Sequence, residues 1–232
     1  MKRLVLTLIN RLGRRILAKH RPVVIAVTGS AGKTTPKEAI GAAVSDQRRT
    51  RSAAGSLNTQ WGVFLSIVGY EKRSGAYARL TPLELLGAIL RGLGLLFAKE
   101  YAEVLVLEMG ADRPGDIGYL MDYYPPDVAV VTNVGMSHLA QFESVEAIAT
   151  EKGQLVRGLK KGGIAVLNAD DPRVRAMGEG VPGPVVWYGV ERGDVRAQDT
   201  RSTPEGVSYT LTIGEYSRRV SLRVRGGAGV FA

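Results

Sequence analysis

At 232 residues with 45% apolar content, the chain can bury a full core, most simply as one domain with an appendage. The absence of cysteine excludes a disulfide scaffold, a thiol nucleophile and a cysteine metal site, and fits a reducing cytosol. The net charge of +9 is unevenly placed: Lys2, Arg3, Arg11, Arg14, Arg15, Lys19 and Arg21 fall within the first 22 residues with no acidic residue among them, leaving about +2 for the remainder, which argues against a globally basic nucleic-acid face.

Residues 1–22 place Leu4, Leu8, Leu12 and Ile16 at helical spacing between basic residues, the pattern of an amphipathic helix. The apolar run LVLTLI is too short to span a membrane, and no small-residue cleavage site follows it. Three placements fit such a helix: packed on the domain, lying on an anionic membrane surface, or docked on a partner. The corresponding location is cytoplasmic, with peripheral contact at the inner membrane surface if the second placement holds.

Val23 to Thr35, VVIAVTGSAGKTT, is a β-branched run that breaks into two glycines, a lysine and two hydroxyls. A buried strand would deliver Gly29, Ser30, Ala31 and Gly32 as a loop whose N–H groups curl round phosphate oxygens, with a helix opening behind it. Lys33 would reach the terminal phosphates and the Thr34 hydroxyl would ligate Mg²⁺, with Thr35 beside it. The long P-loop pattern wants a further glycine where Val27 stands, so this is the shorter TGSxGKTT form, and an ordinary glycine-rich turn remains the bland reading. Pro36 is tolerated because the first helical turn has N–H groups without intrahelical partners.

Leu80 to Ala98 is apolar but interrupted by Glu84, Arg91 and glycines, and is expected as a helix over the sheet or a lid over the site rather than a membrane span. Continuous apolar runs at Glu103–Glu108, Asp127–Thr132 and Gly163–Leu167 join Val23–Thr28 as strand candidates separated by helices. That order predicts a doubly wound α/β fold with a mostly parallel sheet flanked by helices, whose ligands gather at the carboxyl ends of the strands. From 183 to 226 the texture becomes short, alternating and turn-rich, with turns at Glu205-Gly206 and Gly214-Glu215, and predicts a small antiparallel subsheet.

The strand ends carry the chemistry. Glu108 ends one strand where a Mg²⁺ ligand or water-positioning carboxylate is needed beside a phosphate loop, although a plain surface carboxylate is the alternative. Another delivers Asn133 and then His138, the second of two histidines, a residue type that is more often structural than a ligand. A third delivers Asn168, Asp170 and Asp171, which could bind ribose or adenine edges or cap the helix that begins at Pro172.

In order, TGSAGKTT, EMGADRPGDI, TNVGMSHLAQFES, EKGQL and LNADDP closely resemble the central ATP-binding domain of the Mur ligases, from about Val23 to the end of the chain. Within that family the motifs look most like the members that add D-alanyl-D-alanine to a UDP-linked muramoyl tripeptide. The resemblance implies that Gly29, Gly32, Lys33 and Thr34 hold the ATP phosphates and a first Mg²⁺, and that Glu108 and His138 bind magnesium near the γ-phosphate. It implies that Lys152, in EKGQL, is carbamylated by CO₂ and bridges a second Mg²⁺, while an unmodified phosphate clamp or an exposed lysine stay open from the residues alone. Asn168 and Asp171 match nucleotide-side positions, and Asn58 and Thr59, with Asn133, match the side facing the acceptor substrate. The implied activity is that of an ATP-dependent acid–amino-acid ligase of cell-wall peptidoglycan precursor synthesis. Its partners would be a nucleotide-linked peptide and an amino acid or dipeptide.

Two features depart from the family pattern. Pro36 stands where the family usually has threonine, and the UDP-sugar-binding and C-terminal ligase domains are expected to be absent from these 232 residues, leaving residues 23–232 as the central domain. Other readings therefore stay open: a related ligase acting on another acid, such as a folate, or on a lipid-linked precursor, and a solitary ATP-binding module.

Overall fold

The computed structural model describes residues 2–53, 55–70, 81–136, 140–181, 183–204 and 206–222. A nine-stranded sheet has the order β2 (Thr50–Ser52), β3 (Val104–Glu108), β1 (Val23–Thr28), β4 (Val128–Val131), β5 (Ile164–Asn168), β6 (Val185–Gly189), β7 (Val195–Thr203), β8 (Gly206–Ile213), β9 (Tyr216–Leu222). Pairing is parallel from β2 through β7 and antiparallel from β7 to β9. The expected antiparallel strands are thus β7–β9, whereas VVWYGV forms β6, which runs parallel beside β5 and joins them to the main sheet.

The strands are continuous apolar runs because both faces of the sheet are covered. Val27, Val104, Val106 and Val130 face Ile40 and Val44 of α2 (Thr34–Ser45). Ala26, Leu105, Leu107 and Val131 belong to the larger core on the opposite face, shared with α1 (Lys2–His20), α3 (Gln60–Val68), α5 (Asp116–Met121) and α6 (Val145–Arg157). The crossing from β1 to β3 on one side and to β4 on the other puts a topological switch at the carboxyl end of β1, where open α/β sheets bind their ligands.

The N-terminal segment forms the expected helix and packs on the domain, on a face that takes Leu12 and Ile16 from the marked stripe but not Leu4 and Leu8. Leu6, Ile9, Asn10 and Ile16 are buried, whereas Leu4 and Leu8 stay exposed. Polar pairing sets this rotation: Tyr124 donates to Asn10 Oδ1 at 2.7 Å, and Asn10 Nδ2 donates to the Tyr119 hydroxyl at 3.2 Å. Gly13 permits the approach, since a Cβ there would stand 2.4 Å from the Tyr124 hydroxyl. Burial pushes the Tyr124 phenol well above its ordinary pKa, which keeps it a neutral donor.

The 80–98 stretch supplies α4 (Pro82–Leu95), begun by a capping box in which Thr81 accepts from Glu84 N and Glu84 accepts from Thr81 N. It covers helices rather than the sheet: its packing partners are α1 and α3. Lys19 donates to the carbonyls of Leu96 and Ala98, and Arg91 to that of Val68, so basic side chains close the ends of both neighbouring helices. No helix among the described residues is long and apolar enough to cross a membrane.

Candidate active site

β1 ends at Thr28 and the chain turns through Gly29–Lys33 into α2, with Gly32 in the left-handed region at φ 64°. The loop after β4 clasps this turn from the side. Ser30 N donates to Asn133 O at 2.9 Å, Ala31 N to Asn133 Oδ1 at 3.0 Å, and Asn133 Nδ2 and Thr132 Oγ1 donate to Ala31 O at 3.0 and 2.9 Å. The Ser30 hydroxyl is also bonded to the Gly135 backbone. Gly29 has to be glycine because a Cβ would lie 1.9 Å from Thr132 Oγ1. The clasp shapes the turn before any ligand arrives.

Two lysines converge on one carbonyl of that turn. Lys33 Nζ donates to Gly29 O at 2.8 Å, and Lys152, on α6, donates to the same oxygen at 2.9 Å. Burial lowers the Lys33 pKa, against the attraction of Glu108 and Asp112. Lys152 is buried and pulled down to about 8, first by desolvation, then by the Lys33 charge, with Glu151 opposing. Two ammonium groups sharing one acceptor in a desolvated turn concentrate positive charge there, which favours anionic oxygens over neutral ones.

Glu108 ends β3, next to β1, and is 3% exposed. Its Oε2 accepts from Thr34 Oγ1 at 2.9 Å, and its Oε1 from Ser56 Oγ at 2.8 Å and Asn58 Nδ2 at 3.2 Å. Lys37, one helical turn after Thr34, brings Nζ to 3.9 Å of Oε2 while donating to Ala53 O at 2.6 Å and to Gly55 O. Burial lowers the Lys37 pKa and the Glu108 charge opposes this. A buried carboxylate is thereby held against the glycine–lysine turn by neutral hydroxyl and amide donors, with its charge balanced by one buried lysine.

Other residues singled out in the sequence have different surroundings. Asn168 donates to Thr132 O at 2.8 Å and accepts from Asp170 N. Asp171 caps α7 (Pro172–Ala176) through Arg173 N and Val174 N, and accepts from Val134 N at 2.8 Å. Both side chains brace the loop after β4, which in turn clasps the phosphate turn. Asp170 accepts from the backbone N–H groups of Val190, Glu191 and Arg192. Thr59 caps α3 through Gly62 N, whereas Asn58 reaches Glu108. Thr35 is partly buried in the first turn of α2. His138 lies outside the described residues.

Three contributors were not singled out from sequence: Lys37, Ser56 and Thr132. Lys37 had a readable signal, being a lysine at i+3 from Thr34 on the same helical face. Ser56 and Thr132 had none, because their roles arise from strand ends that only the sheet brings together.

Comparison with known proteins fits this geometry. The Mur ligase middle domain family matches residues 27–230. The UDP-N-acetylmuramoyl-tripeptide–D-alanyl-D-alanine ligase of Bacillus subtilis is 30% identical over 207 residues, covering 89% of this chain and 38% of that protein. MurF of Thermotoga maritima, solved in complex with ADP, superposes with a TM-score of 0.76 at 30% identity, over 97% of this chain and 46% of that one. MurF of Acinetobacter baumannii superposes with a TM-score of 0.77 at 27% identity, over 96% and 43%. The chain thus spans less than half the length of each of these relatives.

Proposed function

Because this chain belongs to the Mur ligase family, by its match to the middle domain, we propose that it is the nucleotide-binding core of an ATP-dependent ligase that joins D-alanyl-D-alanine to a UDP-linked muramoyl tripeptide. The observation that carries this reading is the convergence of Lys33 and Lys152 on Gly29 O beside a Glu108 held against Thr34. Plain nucleotide binding has no need of a buried carboxylate and a second buried lysine at the phosphate turn.

The proposed reaction activates a carboxylate. One of its oxygens attacks the γ-phosphorus of ATP, the bond to the bridging oxygen breaks, and ADP leaves an acyl phosphate. The free amine of the dipeptide then attacks the acyl carbon, phosphate departs with the bonding electrons, and the amine loses a proton. The turn's N–H groups and Lys33 would hold the phosphates, and the clasp from Asn133 and Thr132 would keep that cradle from spreading.

The donor set fits magnesium. Thr34 Oγ1 and the Glu108 carboxylate are hard oxygens 2.9 Å apart at the cradle's edge, and Mg²⁺ is usually bound by one or two carboxylates together with substrate phosphates. When bound, magnesium supplies neutralisation of charge on the transferring phosphoryl group.

His138 would complete the Glu108 side, as the family pattern implies. Lys152 would add its amine nitrogen to CO₂ with loss of a proton, becoming an anionic carbamate able to bridge a second Mg²⁺. A pKa near 8 leaves a usable fraction of neutral amine at physiological pH, which that addition requires.

Calorimetry with ADP and magnesium chloride tests the binding half of this proposal. Wild type should bind, and Lys33→Ala should lose roughly tenfold or more in affinity. Phosphate release from ATP, dependent on both the UDP-linked tripeptide and D-alanyl-D-alanine, tests the ligase half. Equal ADP affinity in wild type and Lys33→Ala would overturn the assignment of the cradle.

A further inference from the structure

The packing that buries one face of α1 leaves another face unpartnered, and α4 continues it. On α1, Leu4, Leu8, Arg11 and Arg15 follow each other at helical spacing and are all exposed. On α4, Leu86, Leu90, Leu93 and Phe97 do the same, and Phe97, just past the helix end, is 85% exposed. The two stripes meet: Leu8, Arg11 and Arg15 of α1 and Leu93 of α4 line one open groove of about 830 Å³. Lys19 and His20 bond the carbonyls at the end of α4, fixing the two helices in this relation.

Exposed large apolar side chains clustered on two adjacent helices, with a basic flank, are not the ordinary scatter of a soluble surface. The sign of the flank selects the occupant. Arg3, Arg11, Arg14 and Arg15 are exposed on α1, and that helix has no acidic residue. Among the described residues, Asp122 lines the groove, Glu84 starts α4 in its capping box, and Glu100, three residues past Phe97, pairs with Arg49. A second copy of this face would set arginines against arginines with few carboxylates to meet them. An interface of leucine and phenylalanine bordered by arginine instead matches the acyl boundary and phosphate headgroups of an acidic bilayer leaflet.

We propose that the joint α1–α4 face docks onto an anionic phospholipid surface. The leucine stripes and Phe97 enter the headgroup boundary, and Arg11 and Arg15 meet lipid phosphates. The nucleotide cradle contributes no residue to this face, so the proposal stands apart from the ligase reading.

The test is sedimentation of the full chain with vesicles of phosphatidylcholine alone and of equal parts phosphatidylcholine and phosphatidylglycerol. Wild type should pellet with the mixed vesicles, weaken as salt is raised, and remain in solution with phosphatidylcholine alone. Arg11→Glu with Arg15→Glu, and separately Leu90→Glu with Phe97→Glu, should each lower the apparent affinity by roughly tenfold or more. All four positions are exposed, and retained ADP affinity would certify that the variants are folded. Absence of pelleting with acidic vesicles, pelleting indifferent to both variants, or a wild-type mass doubling in solution that the variants abolish would each overturn the proposal, the last by assigning the face to a second copy.

Discussion

Thr34 Oγ1 donates to Glu108 Oε2 across 2.9 Å, and this contact joins the first turn of α2 to the end of β3, residues 74 positions apart in the chain. It places a carboxylate beside the glycine–lysine turn, where the proposed function puts the phosphates. Glu108→Gln keeps shape and removes charge, so it should fold with reduced stability, because the buried Lys37 charge loses its partner, and should weaken magnesium-dependent ADP binding by about tenfold or more, read by calorimetry with and without magnesium. Glu108→Ala should also destabilise the protein by about 3 kcal/mol in urea titrations, since it strands Ser56, Asn58 and the buried Lys37 charge.

Lys37 has a structural task of its own. It holds the carbonyls of Ala53 and Gly55, and the loop it secures brings Ser56 and Asn58 to Glu108. Lys37→Met fills similar volume without a donor, and should cost about 3 kcal/mol, through carbonyls left unsatisfied and a buried Glu108 charge left without its partner. Protease sensitivity between residues 53 and 58 should rise in the same variant, monitored by mass spectrometry of early cleavage products.

Gly29→Ala places a methyl group where Thr132 Oγ1 stands, a position that hydroxyl holds by donating to Ala31 O. Neither side yields cheaply, so the variant should lose both stability and ADP affinity. Thr132→Ala removes the clashing atom, and the double variant should recover part of what Gly29→Ala loses. A measured interaction energy of zero in this double-mutant cycle would mean that the two positions do not meet.

Lys152 gives a pH signature whose sign is fixed by its lowered pKa. Folded, it titrates near 8; unfolded, at its ordinary value near 10.5, so between these the unfolded chain binds more protons and stability rises with pH. Below the folded pKa the cost of burying the charge is fully present. Lys152→Met removes it, so the variant should be more stable than wild type at neutral pH, and the gap should close between about pH 8 and 10.5. Under ¹³C-labelled bicarbonate, a carbamate resonance present in wild type and missing from Lys152→Met would report the proposed modification.

The central strands were legible because they are buried on both faces. The runs at Glu103–Glu108, Asp127–Thr132 and Gly163–Leu167 became β3, β4 and β5 with ends shifted by a residue or so. β2 was invisible: Thr-Arg-Ser has no apolar signature and is a strand only by pairing with Val104, Leu105 and Val106. The stripe on α1 was half legible: Leu12 and Ile16 pack against the core, whereas Leu4 and Leu8 do not, because the contacts of Asn10 and Gly13 with Tyr119 and Tyr124 turn the first half of the helix. In the site, the glycine–lysine turn and Glu108 announced themselves by residue type and position. Asn168 and Asp171 read either as ligand contacts or as caps of the helix at Pro172; Asp171 does cap α7, and both side chains also brace the neighbouring loop. A short polar side chain at a strand end serves either purpose equally well, and only its partners tell which.

Glu108 follows Val104 and Val106 on the side of the sheet that α2 covers, whereas Leu105 and Leu107 look to the other side. The site is therefore a matter of parity. Deleting or inserting a single residue between Glu103 and Glu108 would invert odd and even, turning the carboxylate toward the larger core and a leucine toward the glycine–lysine turn. Changes of length in this strand are survivable only in pairs, so evolution can freely exchange its aliphatic side chains but cannot miscount them.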